Sequence, residues 1–155
     1  MSDDYIRLIP TQVTWQPTRA AAVAATSYVT SLFSGPNGSA DAVGHEFYDQ
    51  VRFIDSGVNT SEAKCPACTC SVDLDWVFEM LDERANDLAQ LDVVTPCCGA
   101  LTSLNDLDYD WAMGFARFEI GVLNGARNDY ALQDDELDHV RSRLGHAVRQ
   151  VLAHY

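Results

Sequence analysis

Five cysteines confined to residues 65–98 of a 155-residue chain constrain this sequence more than any other feature. One cluster is Cys65-Pro66-Ala67-Cys68-Thr69-Cys70 and the other is Pro96-Cys97-Cys98-Gly99. A Cys-Pro-x-Cys turn sets two sulfurs on one side of a tight loop, where backbone N–H groups hydrogen-bond thiolates. A second such turn completes a closed, structural four-thiolate shell around a metal ion. The expected shell is Cys65, Cys68, Cys97 and Cys98, with Cys70 as the alternative to one of the last two. Adjacent side chains diverge in an extended chain, so Cys97 and Cys98 can both ligate only if the turn at Gly99 bends them together. Structural zinc is the expected ion, with iron as the alternative, since four thiolates bind either. Buried free thiols are the competing account, and the clustering argues against them.

On either side of the cysteines the pattern is ordinary. Residues 5–10 read as a strand ended by proline. Thr18 caps a helix running to about Phe33, with Val23, Tyr28 or Val29, and Leu32 as its apolar stripe. His45–Ile54 alternates, with Phe47, Val51 and Phe53 on one side. Asp73 or Asp75 caps a helix bearing Trp76, Val77, Met80, Leu81 and Leu88, and Leu91–Thr95 leads as a strand into the second cysteine turn. From Phe115 alternation resumes, with Ala116, Phe118, Ile120 and Val122 facing one way and Phe115, Arg117, Glu119 and Gly121 the other. Asp134 caps a last helix that stops at Gly145, and Val148–Tyr155 closes the chain as a strand.

With the middle removed, what remains is strand–helix–strand twice over. The economical solution is an α+β, ferredoxin-like βαβ–βαβ sheet with both helices on one face. A zinc-ribbon-like insertion carrying its own helix falls between the second and third strands, which are antiparallel neighbours in that arrangement. The expected division is residues 1–57 with 114–155 as the ferredoxin-like domain and 58–113 as the inserted module.

The same residues carry a resemblance. Cys-Pro-x-Cys, then Thr-Pro-Cys-Cys-Gly, Leu104-Asn105-Asp106-Leu107, Gly114-Phe115-Ala116-Arg117-Phe118 and the final Ala153-His154-Tyr155 resemble a family of small, uncharacterised bacterial proteins with a zinc-ribbon-like module. The resemblance spans most of the chain. It implies bacterial origin and metal binding, and it brings no activity with it.

Catalytic patterns are not evident. Asp106, Asp108 and Asp110 have the spacing that opens a calcium loop, but Trp111 and Arg117 stand where that loop needs glycine and glutamate. The four histidines share no metal-ligand spacing, and no phosphate loop or nucleophile elbow is recognisable. Cys65-Pro66-Ala67-Cys68 looks like a glutaredoxin-type redox pair, yet a helix does not follow it directly, so thiol redox chemistry stands as an alternative only. No run of apolar residues suits a membrane span, the acidic N-terminus resembles no secretory signal, and the odd cysteine count fits a reducing cytoplasm.

Net charge is −13, with nine arginines and a single lysine, Lys64. Such a surface repels nucleic acid and attracts basic proteins. The expected function is therefore a non-enzymatic, cytoplasmic protein-interaction module engaging a basic partner, as immunity proteins engage toxins. The alternative is single-stranded RNA binding on the sheet face away from the helices. Arg7, Arg52, Arg117 and Arg149 share that phase with Tyr5, Tyr48, Phe115 and Tyr155, which would make a stacking platform. If the module covers this face instead, those arginines are expected to bridge to Asp106, Asp108 and Asp110.

Overall fold

Ile6 and Leu8 point inward from β1 (Asp4–Pro10), which supplies one of the two central strands of the main sheet in this computed structural model. Residues 2–155 are described. Helix α1 (Arg19–Leu32) starts where the Thr18 hydroxyl accepts the Ala21 N–H at 3.1 Å, and β2 (Ala42–Ile54) follows. The cysteine region holds β3 (Ala63–Lys64), β4 (Ser71–Val72), α2 (Leu74–Glu83), β5 (Asp92–Val94), β6 (Leu101–Ser103) and β7 (Asp108–Tyr109). The chain then runs through β8 (Gly114–Leu123), α3 (Asp134–Leu144) and β9 (Val148–His154).

The fold is a mixed α+β arrangement. Its main sheet has the order β9-β1-β8-β2, with every neighbouring pair antiparallel. Ile6, Leu8, Phe118, Ile120 and Val122 pack against Ala22, Ala25 and Val29 of α1 and Val140 and Leu144 of α3. Burying a side chain such as Phe118 contributes about 2–3 kcal/mol, so this cluster alone anchors both helices to the sheet. A second cluster gathers Cys65, Val77, Leu81, Leu91, Val93, Leu104 and Tyr109 around the cysteine region and takes in Phe115 from β8. Within it β3 lies between β4 and β7, and β5 pairs with β6. No described helix is long and apolar enough to cross a membrane.

Three local expectations need correction. Helix α1 buries Val29 of the expected stripe together with Ala22 and Ala25, whereas Val23 is 56 % exposed. Small alanines let α1 approach its neighbours closely, so they form the inner face even though valine is the more hydrophobic residue. Helix α3 is capped by Gln133, not Asp134: a capping box joins Gln133 to Glu136, and the three acidic residues Asp134, Asp135 and Glu136 fill the first turn. The third correction is the alternation of β8. Against β2 the register passes from Phe47↔Phe118 to Arg52↔Ala116, a bulge that consumes extra residues on β2. Below it Ala116 packs with Ile9, Ile54 and Val151, while Phe115 joins the cysteine-region cluster.

A candidate four-cysteine metal centre

The first cysteine turn is closed by two backbone hydrogen bonds, Cys65 N–H to the Cys70 carbonyl at 2.9 Å and Thr69 N–H to the Cys65 carbonyl at 2.9 Å. Thr69 adopts the left-handed conformation at φ 64°. The second turn repeats this thirty residues later. Thr95 N–H reaches the Ala100 carbonyl at 2.9 Å, Gly99 N–H reaches the Thr95 carbonyl at 3.0 Å, and Gly99 has φ 71°. Proline follows the first residue of each turn. The hairpin β5–β6 holds the second turn at its tip, and the β3–β4 ladder holds the first.

These turns face each other. One sulfur from each of Cys65, Cys68, Cys97 and Cys98 lies within 4.8 Å of the other three, a cluster that could hold a metal ion. Cys65 and Cys98 Sγ are 3.8 Å apart and Cys68 and Cys97 Sγ 3.3 Å apart. Cys65 is buried at 1 % exposure, Cys68 is half-buried, and Cys97 and Cys98 are exposed. Cys70 is exposed and its sulfur is outside the group.

The turns supply the donors that thiolates need. The Cys68 N–H is the main influence bringing the Cys65 thiol down to about 6, helped by the Ala67 N–H and the Thr95 hydroxyl and opposed by burial. Thr95 and the Ala100 N–H hold Cys98 low. Cys68 accepts the Cys70 N–H, but the crowding sulfurs of Cys97, Cys70 and Cys98, together with burial, leave its thiol raised. Four sulfurs this close cannot all ionise without a cation between them.

Thr95 is the residue that reading by cysteine spacing misses. It is buried at 2 % exposure, and its Oγ1 lies 3.7 Å from Cys65 Sγ and 3.5 Å from Cys98 Sγ. The signal was present in the chain: Thr95-Pro96-Cys97-Cys98 aligns with Cys65-Pro66-Ala67-Cys68 when the prolines are superposed.

The other expected site, the arginine and aromatic face, is assembled only in part: Tyr5, Arg7 and Tyr155 stand together, with the Arg7 guanidinium 4.5 Å from the Tyr5 ring centroid, while other members are drawn away. Phe115 is 1 % exposed inside the cysteine-region cluster, stacked on Phe53 with ring centroids 5.2 Å apart, which corrects its placement on an open face. Arg149 is drawn under the connector before β8. It donates to the Asn105 carbonyl and the Met113 carbonyl, both at 2.9 Å, in place of the carboxylates of Asp106, Asp108 and Asp110. Arg7 is engaged by Glu119, its Nε 3.2 Å from Oε2, and donates to the Tyr155 hydroxyl at 2.7 Å. Arg52 stays exposed, its guanidinium 4.7 Å from the Tyr48 ring centroid. Arg117 lines a separate cleft with Asp49 and Asp87, at the bulge. What stays open on this side of the sheet is a shallow groove of about 280 Å³ lined by Tyr5, Arg7, Gly44, Glu46 and Gly121, among others.

The chain matches no protein-family model, no curated protein and no solved structure. The chemistry of the site rests on its own geometry.

Proposed function

We propose that this is a zinc protein whose metal is structural, and that its acidic surface serves to engage a basic protein partner. The observation that carries the metal reading is the sulfur geometry. A tetrahedron of Zn–S bonds of about 2.3 Å has S···S edges of about 3.8 Å. Cys65 and Cys98 stand at 3.8 Å and Cys68 and Cys97 slightly inside it at 3.3 Å. Elemental analysis of protein purified without added metal tests this, with one equivalent of zinc expected. Absence of both zinc and iron would sink the reading. One equivalent of iron would move the site to one-electron chemistry.

In this reading the main sheet is a ferredoxin-like frame over residues 1–57 and 114–155, and 58–113 is an inserted zinc-ribbon-like module. The strand order β9-β1-β8-β2 supports the frame, since it corresponds to the fourth, first, third and second strands of a βαβ–βαβ unit. The resemblance to small bacterial proteins with such a module fits the same account, as does a cytoplasmic setting that keeps the thiols reduced.

The partner is inferred from charge. At −13 the chain draws cationic surfaces and repels polyanions. Helix α2 turns Asp75, Phe78, Glu79, Asp82 and Glu83 to solvent, an acidic stripe around one exposed phenyl ring. A basic toxin-like protein suits it better than RNA does, because the face that would stack bases has lost Phe115 and Arg149 to packing. Affinity for such a partner is expected to fall with rising salt. Salt-independent binding, or RNA binding abolished by Arg52→Ala with Arg117→Ala, would overturn this choice.

A further inference from the structure

The two cysteine turns are equivalent position by position, and that equivalence leaves one ligand out of place. Residues 65 and 95 open the turns, both buried. Pro66 and Pro96 follow, both exposed. Ala67 and Cys97 come next, both exposed, and then Cys68 and Cys98. Two turns of this kind facing each other present four ligands from their first and fourth positions, which are 65, 68, 95 and 98. Cysteine fills three of these. The fourth is Thr95, whose hydroxyl is not among zinc's usual protein ligands and lies beside two of the sulfurs as a hydrogen-bonding group. Cys97 therefore reaches the cluster from outside the symmetric set, from the position that in the first turn holds an exposed alanine, and it stands against Cys68 at 3.3 Å.

Three ligands are held by equivalent positions of the two turns, and the fourth completes the four-thiolate shell from outside that set, which makes it the least constrained of the four. We propose that Cys97 is the dissociable fourth ligand and the reactive thiol of this centre, modified by soft carbon electrophiles while Cys65, Cys68 and Cys98 keep the metal. This rests on the zinc reading above. In the reaction the Cys97 sulfur pair forms an S–C bond to the electrophilic carbon, the carbon–halogen bond of an alkyl halide breaks, and halide leaves with its electron pair. No electrons are transferred, and Cys65, Cys68 and Cys98 are the residues that would still hold the metal. Cys97 and Cys98 are both exposed and Cys65 is buried, so access alone leaves two candidates; Cys97 is distinguished from Cys98 by its place outside the equivalent turn positions.

The test uses full-length protein carrying Cys70→Ser, which removes the exposed cysteine outside the cluster. Its zinc content is measured first: failure to hold one equivalent overturns the zinc reading and this proposal with it. The loaded protein is then treated with iodoacetamide, and the adducts are mapped by mass spectrometry while zinc is followed with a chromogenic chelator. Cys97 is expected to be carbamidomethylated roughly 10-fold or more faster than the other three, with zinc retained after the first adduct. A second variant adds Thr95→Cys and Cys97→Ala, restoring four ligands at the equivalent positions. It is expected to hold zinc, resist the reagent and release metal to chelator more slowly. Equal protection of all four cysteines in the loaded parent, a first adduct at Cys98, or zinc lost with the first adduct would each overturn the proposal. So would a Thr95→Cys, Cys97→Ala protein that binds no zinc.

Discussion

Glu119 of β8 joins side chains from the two strands beside it. The Tyr48 hydroxyl of β2 donates to its Oε1, and Arg7 of β1 approaches its Oε2 at 3.2 Å, while Glu119 itself is only 9 % exposed. Truncating it leaves a half-buried guanidinium without its counter-charge, so Glu119→Ala is expected to lower unfolding stability by on the order of 3 kcal/mol. Urea melts would show this; a loss below about 1 kcal/mol would mean that solvent already screens the pair. Asp110 works at the surface instead. It accepts the Ser61 hydroxyl at 2.7 Å and the N–H groups of Ser61, Glu62 and Trp111, each at 3.0 Å, pinning the start of the cysteine region to its end. The Ser61 hydroxyl, then the N–H groups of Glu62, Ser61 and Trp111, bring its carboxyl down to about 2. A carboxylate lowered from its ordinary value near 3.9 stabilises the fold above that pH, and the contribution fades as pH falls from about 4 to about 2. With screening it amounts to about 1 kcal/mol. Acid unfolding of wild type and Asp110→Asn should thus differ above pH 4 and converge near pH 2, and curves that stay parallel throughout would refute the assignment.

Helix ends were legible in the chain because caps are local: Thr18, Asp73 and Gly145 stand at the termini that their side chains or backbone freedom suit. Strand phase was less so. The bulge between Phe47 and Arg52 depends on which residues of β8 lie opposite, a non-local choice that alternation in either strand does not reveal. For the same reason Phe115 was legible as half of a strand pattern and not as part of the cysteine-region core. Thr95 was hidden by counting residue type, since only the backbone shows that it opens a turn like that of Cys65. At α3 the cap shifted by one residue because Glu136 is engaged twice. Its Oε1 accepts the Gln133 N–H at 2.8 Å, and both oxygens bind the Arg127 fork at 2.6 and 2.7 Å. The Arg127 bond and charge together lower the Glu136 carboxyl. Glu136→Ala removes the capping box and the bidentate pair together, and a loss of about 2 kcal/mol is expected. Circular dichroism melts would measure it, and the gap from wild type should narrow in acid as the wild-type carboxyl is protonated. A variant as stable as wild type would show that α3 is held by Val140 and Leu144 alone.

Two apolar clusters share one chain, and the metal proposed here belongs to only one of them. The first joins α1, α3 and the sheet through Ile6, Phe118 and Ile120; the second gathers around Cys65, Val77 and Leu104. Zinc bound by four thiolates contributes on the order of 10 kcal/mol to the segment that holds it. Residues 58–113 hold only short ladders of two or three residues and one ten-residue helix. Chelation is therefore expected to unfold that segment while the four-stranded sheet stays folded. The two clusters are not fully separate, because Phe115 and Phe53 extend the second cluster onto β8 and β2. Hydrogen exchange after chelation should accordingly show fast amides in β3, β5, β6 and α2, intermediate protection at residues 114–116 and 52–54, and retained protection at Ile6, Leu8 and Ile120. Cys65→Ser should reproduce that map without chelator. If β1 and β8 exchange as fast as β5 in the metal-free protein, the molecule is one cooperative unit. The metal would then hold the entire fold rather than a module seated on it.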